Sequence, residues 1–60
     1  MNGERLIRRP EVERLIGLKR SKLYEMVRAG TFPAPVQLSA RAVAWRLSEV
    51  EAWISEREAA

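Results

Sequence analysis

The segment from Pro10 to Arg28 constrains this chain more than any other. Val12, Leu15 and Ile16 recur at i, i+3 and i+4, which is one apolar stripe of a helix. Pro10 suits a first helical position, where its missing N–H costs nothing, and Glu11 and Glu13 lie near the positive end of the helix dipole. Gly17 supplies the left-handed residue that stops a helix, and Leu18 is the apolar plug for a corner. A second stripe, Leu23, Met26 and Val27, predicts a helix over about 20–29 that Gly30 ends. Its N-cap is weak, because Lys19 stands where Ser, Thr, Asp or Asn would serve better. Two short amphipathic helices joined by so short a corner make a helix-turn-helix. The second helix turns Ser21, Glu25 and Arg28 away from its stripe, with Lys22 and Tyr24 on the flanks.

Downstream the pattern changes. Thr31 to Pro35 reads as a rigid connector, with Phe32 anchored in the core and the prolines holding extended backbone. Val36-Gln37-Leu38 alternates as a short strand, residues 39–42 form a tip, and Val43, Trp45 and Leu47 alternate in a returning strand. Two strands alone are marginal, so the hairpin is expected to lie on the helices through Val36, Leu38 and Trp45. Ser48-Glu49-Val50-Glu51 reads as a capping box for a third helix, with Val50, Trp53 and Ile54 as its stripe and Arg57 near its negative pole. Both tryptophans read as core, and the last residues are expected to fray. The expected class is mainly α with a small β-hairpin, a winged helix-turn-helix forming a single domain over residues 1–60.

Composition narrows the function. A chain of 60 residues buries only about 60% of its unfolded surface, too little to enclose a deep substrate cavity. Cysteine and histidine are absent and all eight acids are glutamate. Disulfides, zinc and most proton-shuttling active sites are thereby excluded. Nothing pairs a nucleophile with a base, so no enzyme, cofactor or metal is expected. No apolar run approaches the roughly 20 residues of a membrane span, and the first residues do not make a signal peptide. The absence of cysteine fits a reducing cytoplasm. The net charge of +3 is unevenly placed. Residues 19–46 carry Lys19, Arg20, Lys22, Arg28, Arg41 and Arg46 against Glu25 alone, whereas residues 47–60 carry four glutamates against Arg57. The middle of the chain attracts polyanions and the end repels them.

A basic, hydroxyl-bearing helix start suits the DNA major groove, which is about 12 Å wide and admits a helix whose first turn meets the base edges. Ser21 and Lys22, with Lys19 and Arg20 beside them, are the candidates for base contact. Arg28 and the Tyr24 hydroxyl suit phosphates. Arg41 at the hairpin tip suits the backbone or the adjacent minor groove, and Arg46 on the hairpin's outer face is a further candidate. Basic residues at a helix start oppose the dipole, which a polyanionic partner explains better than solvation does. Glu25 runs against this reading unless it accepts a hydrogen bond from cytosine or pairs with Arg28 or Lys22. The expected partner is double-stranded DNA, with no membrane and no small-molecule ligand. One module of this size covers about 600–1,000 Å² on DNA, so a dimer or cooperative neighbours are expected, the acidic third helix meeting a basic wing. The alternative is a protein-interaction adaptor that keeps the winged-helix fold without DNA contact. Glu25 and the acidic C-terminal end favour it.

Four segments carry a family resemblance: Arg5-Leu6-Ile7-Arg8, residues 17–24 (Gly-Leu-Lys-Arg-Ser-Lys-Leu-Tyr), residues 30–36 (Gly-Thr-Phe-Pro-Ala-Pro-Val) and the stretch from Ala42 to Trp53. They resemble the AlpA family of prophage regulators over almost the whole chain. The Phe-Pro-x-Pro-Val and Trp-Arg-x-Ser-Glu-Val-x-x-Trp stretches are the most specific part. The family is similar to excisionases and to the DNA-binding part of MerR-type regulators. The resemblance implies a small winged-helix DNA-binding protein of bacterial or phage origin that activates or represses genes, often those of an integrase, or assists excision. The chain departs from the family at Lys19, commonly a capping serine, and at Lys22, commonly a threonine; both fall where bases would be read.

Overall fold

The computed structural model describes residues 4–57. The fraying expected at the C-terminus concerns residues 58–60, outside that range. Helix α1 spans Arg9–Ile16 with Arg8 as its N-cap, and α2 spans Arg20–Ala29 with Lys19 as its N-cap. Neither cap residue contributes a side-chain hydrogen bond, as the basic residues at both positions dictate. Both helices stop on a left-handed glycine, Gly17 at φ 76° and Gly30 at φ 80°. The Gly17 amide donates to the Glu13 carbonyl at 2.8 Å, and the chain then turns through Leu18 into α2.

The hairpin is present as β2, Val36–Ser39, and β3, Ala42–Arg46. A third strand accompanies it. Leu6–Ile7, β1, pairs antiparallel with β3, giving the sheet order β1-β3-β2. The periodicity of the sequence does not announce this strand, because two residues carry no period. Leu47 does not continue the returning strand; it opens α3, Leu47–Glu56, directly after β3. The capping box is not formed either. Arg46 is the N-cap and gives no side-chain bond, the Ser48 hydroxyl donates to the Glu4 carboxylate at 3.0 Å, and the Leu47 amide donates to the Arg5 carbonyl at 2.8 Å. The segment leading into β1 therefore caps α3 in place of the local box. A tertiary partner has displaced a short-range one.

Ile7, Val12, Leu23, Phe32, Trp45 and Val50 form one buried cluster, to which α1, α2, the connector, the sheet and α3 each contribute. Trp45 sits at its centre, fully buried, and its indole N–H donates to the Pro33 carbonyl at 2.8 Å. That bond satisfies the ring's one polar atom and fixes the proline connector against the sheet. Three sequence expectations for the core need correction. Leu38 is 48% exposed rather than packed on the helices. The register matches Gln37 to Val43 and Ser39 to Ala42, so Leu38 is the extra residue of a bulge and has no partner across the ladder. Leu15 is 44% exposed, because α1 buries Val12 and half-buries Ile16 instead. Trp53 is half-buried, not central: it packs edge-on against Phe32 at 5.0 Å and donates to the Thr31 carbonyl at 2.8 Å. The Arg57 guanidinium covers its other face, 3.8 Å from the ring centre. The architecture is mainly helical with a small antiparallel sheet, consistent with a winged helix-turn-helix. Among the described residues, no helix is long and apolar enough to cross a membrane.

Candidate nucleic-acid interface

Burying Leu23 against the core orients everything else on α2. Lys19, Arg20, Ser21, Lys22, Glu25 and Arg28 are all exposed, while Tyr24 is half-buried. Arg20, Ser21, Tyr24 and Arg28 line one open hollow, three polar or charged side chains around an aromatic wall. Tyr24 owes its position to the core, since its ring lies 6.2 Å from that of Trp45 and is tilted to it by 55°. The tyrosine is thus both the edge of the core and part of the exposed face.

Glu25, the acid on this helix, is held by Lys22 at 3.9 Å, one turn away. Both side chains are more than half exposed, so the pair contributes little to stability. Its consequence is electrostatic: the carboxylate is partly neutralised by a neighbour on its own helix. Arg20 and Arg28 form no ion pair among the described residues.

The hairpin places Arg41 at its tip, where the Arg41 amide donates to the Ser39 hydroxyl at 3.3 Å. Arg41 and Val43 line a second hollow together with Arg20 and Tyr24 of α2. The tip of the wing and the start of α2 therefore face the same space. Arg46 is not brought there. It is exposed at the other end of β3, paired in register with Leu6, and four residues of strand put it about 13 Å from the tip.

Two basic residues that periodicity does not single out belong to the second hollow. Arg8, the N-cap residue of α1, and Arg9, its first residue, line it as well. The doublet Arg8-Arg9 ahead of Pro10 is the signal that points to them, since it puts two cations at a helix start, where the dipole disfavours them. Among the described residues, no cluster of acidic residues is arranged to hold a metal ion.

Residues 5–58 match the family model described as the prophage CP4-57 regulatory protein (AlpA). The chain is also 52% identical over 54 residues to the uncharacterized protein ORF88 of Enterobacteria phage P4. That alignment takes in 90% of this chain, which spans 61% of the relative's length. With a family model matched over almost its whole length, the chain belongs to the AlpA family of prophage regulatory proteins.

Proposed function

We propose that this chain is a sequence-specific double-stranded DNA-binding protein that regulates integrase or excision genes of a prophage or directs recombination of the element. The observation that carries the reading is the shared hollow of Arg20, Tyr24 and the wing-tip Arg41, beside the exposed face of α2. A helix in the major groove with a wing on the backbone needs those two elements on one side of the molecule. In this reading Lys19, Arg20, Ser21 and Lys22 meet base edges, and Tyr24, Arg28 and Arg41 meet phosphate. Arg46 contributes to the general positive field rather than to the contact itself. The Lys22–Glu25 pair softens the objection that the acid raises, because a cation one turn away partly neutralises the carboxylate.

The same reading includes cooperative assembly on DNA. A groove lined by Pro33, Ala34, Glu49, Ala52, Trp53 and Glu56 runs between the connector and α3. It is acidic and partly apolar, complementary to the basic wing of a neighbouring copy. A protein that covers about 600–1,000 Å² per module gains the affinity it lacks from such a contact.

In vitro selection from random duplexes, followed by titration of one and of several tandem copies of the selected site, tests the proposal. Ser21→Ala and Lys22→Ala are expected to change the selected sequence, each altering discrimination at its position by about 1–3 kcal/mol. Affinity per protomer is expected to rise on the tandem sites. If both variants select the same sequence as the unaltered protein, α2 is not the reading helix. Failure of the unaltered protein to bind any duplex at low salt, together with a specific protein complex, supports the adaptor instead.

A further inference from the structure

The hollow between the start of α1, the start of α2 and the wing gathers more positive charge than a structural role requires. Arg8, Arg9, Arg20 and Arg41 line it with Tyr24, and among the described residues no carboxylate does. Of the glutamates of α1, Glu11 is engaged with Arg5 at 3.5 Å, and Glu13 compensates Arg9 alone. Among the described residues, Arg8, Arg20 and Arg41 form no ion pair. Three unpaired like charges around one solvent-filled hollow raise the energy of the free protein. A bound anion reverses the sign of that term.

We propose that Arg8 and Arg9 are phosphate-binding residues, which together with Arg41 seat a backbone phosphate of the duplex in this hollow, beside the base-reading Arg20. The inference rests on the DNA-binding reading above and adds to it a contact outside the reading helix. The division of labour follows from the pairing. Arg9 is held by Glu13 one turn along α1, which spends part of its donor set and orients the rest. Arg8 is exposed and unpaired among the described residues, so its full guanidinium is available for a bidentate contact. A helix-turn-helix lays its first helix across the backbone, where such a contact fixes orientation and carries no sequence information.

The test measures affinity for the selected duplex and for a scrambled one over a range of salt concentrations. Arg8→Ala and Arg8→Gln remove the charge, and Arg8→Lys retains it. Arg8 is exposed, so Arg8→Lys is expected to melt as the unaltered protein does, and Arg8→Ala and Arg8→Gln at the same or a slightly higher temperature. Arg8→Ala and Arg8→Gln are expected to weaken binding about 3- to 10-fold on both duplexes alike and to reduce the salt slope by up to about 0.9, the most that one phosphate contributes. Arg8→Lys is expected to keep the slope. Unchanged affinity and slope in the two charge-removing variants, with Ser21→Ala still shifting sequence preference, overturns the phosphate site and leaves the DNA-binding reading standing. Absence of any duplex binding by the unaltered protein at low salt overturns both.

Discussion

Trp45→Ala is expected to remove most of the protein's stability at 25 °C. Truncating a fully buried aromatic costs about 3–5 kcal/mol. The Pro33 carbonyl, which accepts the Trp45 indole N–H at 2.8 Å, loses that partner at a further cost of about 1 kcal/mol. Against this, a chain of 60 residues has a total stability of only about 3–9 kcal/mol. The loss also reaches the candidate interface, because the Tyr24 ring leans on Trp45 and the connector is tied to it. Thermal and urea denaturation followed by circular dichroism checks the expectation: the cooperative transition of the unaltered protein should be absent or displaced far to lower temperature. Trp53→Ala should do less, since that ring is half-buried at the surface beneath Arg57. An equal loss in the two variants would contradict the placement of Trp45 as the centre of the core.

Arg20→Ala should separate stability from function by moving them in opposite directions. Arg20 is the first residue of α2, where a cation opposes the helix dipole. Its removal should stabilise the fold by about 0.3–1 kcal/mol. It also lines both basic hollows, so the same change strips charge from the reading helix and from the space beneath the wing. The expected loss of affinity for the selected duplex is about 10- to 100-fold, on the scale of 1–3 kcal/mol for an arginine at such an interface. For the unaltered protein, neutralising about five phosphates corresponds to a slope of log affinity on log salt near −4 to −5, and the variant should fall short of it. Fluorescence anisotropy at several salt concentrations, with a melting curve of each protein, measures both effects. A variant that melts higher and binds as well as its parent would show that the basic start of α2 does not serve DNA.

The helix-turn-helix was legible because its signals are local. Gly17 and Gly30 stand at the helix ends with positive φ, as their type and position predict, and the period of Leu23, Met26 and Val27 locates the buried side of α2. The exposed face follows from the same period, so the candidate residues on α2 could be named without coordinates. What the sequence withheld depends on distant contacts. Leu6 and Ile7 become a strand only because Arg46 and Trp45 lie beside them, across most of the chain. The arrangement that makes β1 also brings Glu4 to Ser48 and undoes the capping box. Leu38 reads as a core residue by alternation, but a one-residue bulge leaves it exposed, and no local pattern marks that bulge. Arg8 and Arg9 escaped for a related reason. Their nearness to Arg41 depends on how α1 packs on β3, a relation between elements rather than within one.

In the proposed function one side of the molecule, formed by the start of α1, the exposed face of α2 and the wing tip, meets a DNA duplex. An amide chemical-shift titration with the selected duplex tests it most directly. The largest shifts are expected at residues 19–28, with a second group at Arg8, Arg9 and residues 39–42, and little change at Pro33, Ala34 and the outer face of α3 when a single site is used. Shifts confined to the connector and α3, or no shift with any duplex at low salt, would contradict it.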